Sequence, residues 1–228
     1  LVSDGNLIYG TMEDGGTNGQ GVVFALNPVN GQVNDLHVFS AAPLNSLNYN
    51  TNGDGADPAA NLILSGNMLY GTAEFGGTNG YGTIFSLHTD GTAFTNLYTF
   101  AAQATNTLGT YTNSDGADPQ CGLVLAGNTL FGTASSGGLA GNGTVFRVNT
   151  DGTGFTNLHS FTTITSGTNS DGSYPVAGLV LSSNALFGPA AHGGVYGRGS
   201  LYEVSTDGLI FTNLHSFTAV TSGTNSDG

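Results

Sequence analysis

The sequence predicts an all-β fold, a β-propeller of four-stranded antiparallel blades. Three observations carry that prediction. One pattern runs through the chain four times. In its second copy it reads Leu69-Tyr70-Gly71-Thr72, then Gly76-Gly77, then Gly80-Tyr81-Gly82-Thr83-Ile84-Phe85, and closes on Leu97-Tyr98-Thr99-Phe100. Its anchors are Tyr9, Tyr70, Phe131 and Phe187, spaced by 61, 61 and 56 residues, and each closing aromatic (Phe39, Phe100, Phe161, Phe217) follows 30 residues later. Secondly, length varies in one place only. Phe39 to Asp54 and Phe100 to Asp115 span 15 residues, whereas Phe161 to Asp171 and Phe217 to Asp227 span 10. A unit with constant interior spacing and one variable connection is a packed supersecondary unit with a surface loop. Thirdly, no long segment has a helical period, and short apolar runs alternate with Gly, Asn and Asp turn signals.

The second copy justifies each element in order. Asn61-Leu62-Ile63-Leu64 is a short buried strand entering a tight turn at Ser65-Gly66-Asn67. Met68 to Ala73 returns as a second strand, with Gly71 beside the anchor where a bare α-carbon admits a neighbouring ring. Phe75 to Tyr81 is a Gly-rich loop, and Gly82 to Leu87 is a third strand ended by Thr89-Asp90-Gly91. Phe94 to Phe100 is a fourth strand. Leu97 and Phe100 are three residues apart, which breaks strict alternation and predicts a bulge. Four strands joined by tight turns make a meander, and repeated meanders are propeller blades. A β-solenoid is the alternative, although it has shorter periods and no hairpins.

The repeats span 1–61, 62–122, 123–178 and 179–228, all in a single repeat domain. Four units predict either a closed four-bladed ring or part of a larger ring, including one completed by a second copy. There is no initiator Met and Leu1 falls inside a repeat, so a processed or excised piece of a longer chain is expected.

Composition narrows the function. Two Lys+Arg stand against 15 Asp+Glu, a net charge of −13. Nucleic acid and anionic membranes need basic contacts, so both are excluded as expected partners. No apolar run approaches a membrane span. Cys121 is the one cysteine, so no internal disulfide forms, and it is expected as a small core residue. Few charges with abundant Thr, Asn, Ser and Gly match secreted or cell-surface bacterial proteins.

The combination of Gly122-Leu123-Val124-Leu125, Leu69-Tyr70-Gly71-Thr72, Gly76-Gly77, Gly143-Thr144-Val145-Phe146, Asp151-Gly152 and Leu158-His159-Ser160-Phe161 covers all four units. It resembles the bacterial tandem-repeat family called GloVer, found in "choice-of-anchor" surface proteins. The resemblance implies a secreted, repeat-built protein tethered by a separate terminal segment, and it carries no catalytic motif. Two positions depart from the pattern. Pro189 stands where other copies have Thr, which predicts an edge or a local break, and Asn30-Gly31 is shifted by one relative to Asp90-Gly91.

In a meander blade, the loop between strands two and three and the exit loop after strand four leave from one face, so ligand sites are sought there. The exit loops carry Asn52, Asp54 and Asp57, and Asn113, Asp115 and Asp118. Oxygen side chains beside Gly resemble part of a calcium loop, calcium being the one cofactor the sequence raises. The same residues before Pro58 and Pro119 equally make Asx-type turns. The Gly-rich loops carry Glu13, Asp14, Glu74, Phe75 and His192. Two carboxylates could hydrolyse a sugar, but the third unit has Ser135-Ser136 there. Tyr49, Tyr111, Tyr174 and Phe75 could stack on sugar rings. His37, His159 and His215 share one repeat position with Tyr98, which points to aromatic packing on the fourth strand rather than a metal site.

The sequence therefore predicts an extracellular, non-enzymatic module that binds or adheres to a glycan or protein. The alternatives are a self-associating filament or surface-layer subunit, and a glycan hydrolase or lyase using the loop carboxylates.

Overall fold

The computed structural model describes residues 1–46, 49–219 and 227. The end of the fourth unit at 220–226 and 228 lies outside the described residues. All named elements are strands. The first sheet contains β1 (Val2–Ser3), β2 (Ile8–Met12), β3 (Val22–Leu26) and β4 (Val33–Val38). The second contains β5 (Ile63–Ser65), β6 (Met68–Ala73), β7 (Thr83–His88) and β8 (Thr95–Thr99). Its exit loop forms a ribbon of β9 (Ala104–Thr105) and β10 (Tyr111–Thr112). The third contains β11 (Val124–Ala126), β12 (Thr129–Ala134), β13 (Thr144–Asn149) and β14 (Thr156–Ser160). The fourth contains β15 (Val180–Ser182), β16 (Ala185–Ala190), β17 (Ser200–Ser205) and β18 (Phe211–Ser216). Every four-stranded sheet is an antiparallel meander in chain order.

Because successive side chains leave opposite faces of a strand, each sheet uses neighbouring residues to grip two neighbours. Leu69 packs toward the first sheet and Tyr70 toward the third. In the third sheet Leu130 faces back and Phe131 faces forward. This explains why the second strands read as apolar runs rather than as alternation. Gly71 sits between the rings as expected: a Cβ there would lie 2.6 Å from the Phe85 ring and 2.8 Å from Leu62.

The expected bulge is present in all four sheets. In the second, Ile84 pairs with Tyr98 and Phe85 with Asn96, leaving Leu97 as the extra residue. The first, third and fourth sheets shift register at Val23/Phe24, Val145/Phe146 and Leu201/Tyr202. The bulge also builds the junction. Turn residue Gly91 approaches the Leu36 carbonyl of the first sheet, and Gly152 approaches that of Leu97. Gly31, which has no preceding sheet, meets nothing. Pro189 does not break its strand, contrary to one of the two expectations for it, because β16 pairs with β17 through Ala190. Beyond Phe187 the short β15 no longer runs alongside, so that side of the strand needs no donor.

Three hydrophobic clusters fill the spaces between consecutive sheets, and among the described residues none joins the fourth sheet to the first. β1 and β5 lie beside each other near the axis. The chain is an open arc of four propeller blades, not a closed four-bladed ring and not a solenoid.

Candidate functional site

Each exit loop is stitched to both of the blades it connects. Asn52 uses its whole amide: Oδ1 accepts from Gly55 N and Gly77 N at 2.9 Å, while Nδ2 donates to Ser40 O at 2.9 Å and Gly55 O at 2.6 Å. Asn113 and Asn169 repeat this pattern. Asp54 Oδ2 accepts from His37 Nε2, Ser40 N and Ser40 Oγ, each at 3.0 Å. Asp115 Oδ2 accepts from Tyr98 at 2.7 Å, and Asp171 Oδ2 from His159 at 2.9 Å. Burial alone would raise the Asp54 and Asp171 carboxyls, but bonds from His37 and Ser40, and from His159 and Thr162, outweigh it and hold both below the usual carboxylate range.

The histidine position is therefore more than aromatic packing. His37 stacks on Phe94 at 3.6 Å, Tyr98 on Phe155 at 3.7 Å and His159 on Phe211 at 3.7 Å. Each ring thus couples the exit-loop aspartate of its own blade to the next blade. The sequence carried a signal for this pairing, since an Asp recurs in every exit loop, but the two positions are too far apart in the chain for the contact to be read.

Asp54 is surrounded by His37 and Ser40, whereas Asp57 lies near the charges of Glu13 and Asp14. Among the described residues, no group of three or more His, Cys, Asp or Glu converges on a metal position. The Oδ1 atoms of Asp54 and Asp115 are buried and accept no hydrogen bond. Asp57 and Asp118 instead take left-handed backbone angles, φ 56° and 57°, and bridge neighbouring loops. Asp118 N donates to Tyr81 O and its own carbonyl accepts from Ser135 N, both at 3.1 Å.

Glu13, Asp57, Glu74 and Asp118 form one acidic zone. Burial, then the charges of Asp118, Glu13 and Asp57, push Glu74 up to about 7 against a lowering hydrogen bond from Gln120. Gln120 Nε2 donates to Glu74 Oε1 at 2.7 Å. Burial also raises Asp118, although Ser136 Oγ donates to its Oδ2 at 2.5 Å. Phe75 is held by paired backbone bonds to Ala56, so it serves the junction.

His192 and Tyr174 lie elsewhere, at the third junction. Beside the shorter exit loop lies a cavity of about 330 Å3 whose lining includes Asn142, Ile164, Ser173, Tyr174 and His192. The Tyr174 and His192 rings are 5.8 Å apart. Tyr174 takes the same left-handed position as Asp57 and Asp118, φ 59°. Gly141, on the cavity rim, abuts the carbonyl of exposed Tyr111. The structure thus separates the expected ligand residues: Glu13 and Glu74 lie at an acidic rim, Phe75 in its junction and His192 at the cavity, while Tyr111 is exposed on the β9–β10 ribbon outside the cavity lining. Cys121 is buried and free, its thiol pushed up by burial.

No curated protein matches the chain. Solved structures do. The nidogen/laminin complex aligns with a TM-score of 0.53 at 14% identity, covering 93% of this chain and 62% of that one. The TolB protein of Agrobacterium tumefaciens aligns at 0.51 and 12%, covering 94% and 63%. The GH74 enzyme of Niastella koreensis aligns at 0.52 and 15%, covering 91% and 28%. The chain spans less than two thirds of these structures, and at such identities the likeness is one of fold, that of β-propellers. The sequence itself matches the Gloeobacter/Verrucomicrobia repeat over residues 1–228. With the same bulged meander recurring in every unit of that span, the chain belongs to the Gloeobacter/Verrucomicrobia repeat family.

Proposed function

We propose that the protein is an extracellular, non-enzymatic binding module that takes a glycan at the cavity between its third and fourth blades. The observation carrying this reading is Tyr174. Its two equivalents, Asp57 and Asp118, are residues that tolerate a left-handed backbone, whereas a bulky ring there is strained by on the order of 1–3 kcal/mol. That strained ring forms a wall of the cavity and is 41% exposed. An aromatic face beside Asn142, Ser173 and His192 supplies stacking and hydrogen bonds of the kind a sugar ring needs. The shared surface composition supports an extracellular setting. Glycan-array screening followed by calorimetry tests the reading: Tyr174→Ala should weaken binding at least tenfold with the fold intact. An array without hits, together with pull-downs that recover no protein, would overturn it.

One observation favours a second reading, glycan cleavage. A carboxyl titrating near 7 among other carboxylates suits a general acid, and Glu74 is such a group. Reducing-end release from polysaccharides that is lost in Glu74→Gln would establish cleavage. Release that survives in Glu74→Gln, or no release from any polysaccharide, would exclude this use of the residue.

A further inference from the structure

The seven residues Thr-Asn-Leu-His-Ser-Phe-Thr occur twice, at 156–162 and 212–218. At the first place the fourth sheet covers them. Phe161 meets Tyr202 edge-on at 5.2 Å, His159 stacks on Phe211, and Gly208 rests on Leu158. At the second place no further sheet covers them among the described residues. Leu214 is 44% exposed and Phe217 38%. Val180 and Leu201 of the same sheet are also exposed.

The opposite end of the arc presents the other half of the same joint. Phe24 occupies the repeat position of Phe85, Phe146 and Tyr202, the three rings that receive a closing Phe at 5.2–5.4 Å. Those three are fully buried, but Phe24 is only partly so, and Leu1, Met12 and Val33 are exposed. A sheet face kept apolar without a neighbour marks an interaction surface.

We propose that a second copy of this chain fills the fourth-sheet face with its first sheet, so that copies associate head to tail. The argument is continuity with the three internal junctions: one partner of the contact is identical in sequence to a segment already seen covered. The new junction is weaker than the internal ones. Val33 replaces the stacking Phe94, Val22 replaces Thr83, which donates to Asp54 O, and Asp35 replaces Asn96, which donates to Gly53 O. Met12 in place of Ala73 adds apolar volume. Reversible association follows, and it strengthens with salt because each copy carries −13.

Sedimentation of the whole chain from about 1 μM to about 500 μM, the range of modest interfaces, tests this at low and high salt. The mass should rise above 23.0 kDa with concentration, and more so at high salt. Leu214→Asp should weaken association at least tenfold without changing the melting temperature. In a Cys121→Ala background, Val33→Cys and Leu214→Cys variants should cross-link with a short bismaleimide only when mixed. A constant 23.0 kDa mass, association indifferent to Leu214→Asp, or cross-links within a single variant would each overturn the proposal.

Discussion

Phe161 and Phe217 sit near the end of identical seven-residue segments, yet one is fully buried and the other is 38% exposed. Their strands are alike too: both pair across a bulge, at Val145/Phe146 and Leu201/Tyr202. Local sequence therefore builds the same half-joint twice, and the face is buried where another blade arrives. The difference teaches that the stability of this arc lies in its junctions rather than in its sheets. An isolated meander presents apolar residues on both faces and gains most when each is covered.

The sharpest way to break this comparison is to truncate both rings. Phe161→Ala should cost about 3–5 kcal/mol, since a fully buried ring leaves a cavity. Phe217→Ala should cost about 1–2 kcal/mol in dilute solution, where only partial burial is lost. Urea unfolding of the two variants measures both. Equal losses would mean that the fourth-sheet face is covered in the monomer.

The aspartates partnered with the two histidines give a smaller contrast. Asp171 is buried against His159, while His215 is half exposed beside Asp227. A depressed folded pKa contributes stability that is present above the unfolded value, about 3.9, and is lost as pH falls through the folded one. Asp171→Asn should thus cost about 1–3 kcal/mol at pH 7, a loss that shrinks as pH falls below the unfolded value. Asp227 is held down by Thr218 and by the half-exposed His215, so Asp227→Asn should lose stability in the same direction and with the same pH trend, but by less than Asp171→Asn. Thermal melts across pH 3 to 7 read both, and a pH-independent loss in Asp171→Asn would show that its charge is not what matters.

The smallest effect belongs to the acidic rim, where charge rather than packing distinguishes the blades. The folded Glu74 keeps its proton up to about 7, while the unfolded side chain releases it near 4.5. The folded chain binds more protons between these values, so stability falls as pH rises through that window. Glu74→Gln should remove the fall and add about 1 kcal/mol at pH 8 after screening of a half-exposed group, with no gain at pH 4. Denaturation midpoints at the two pH values suffice to detect it.

Much of this was legible without coordinates. The constant distance from each anchor to its closing aromatic marked out the four units. The bulge announced itself in the three-residue gap from Leu97 to Phe100, and Gly71 announced the ring it admits. The loop-rich face was equally readable, because the exit loop is the one variable connection. The site was less so. Glu13 and Glu74 come from different blades, and their shared zone with Asp118 depends on the angle between sheets. In the sequence Tyr174 is one more loop aromatic, and its strained backbone and the cavity it lines required three dimensions.

By itself, the sequence determined the strands, their turns, the bulge and the number of blades, because these rest on side-chain period and on where glycine can bend the chain. Only the tertiary structure decided that the arc stays open, which aspartate each histidine holds, and that Phe217 meets solvent where Phe161 does not. The physical reason is that burial belongs to a pair of surfaces. A segment specifies its own face, but the partner that removes it from water is brought by the fold of the whole chain.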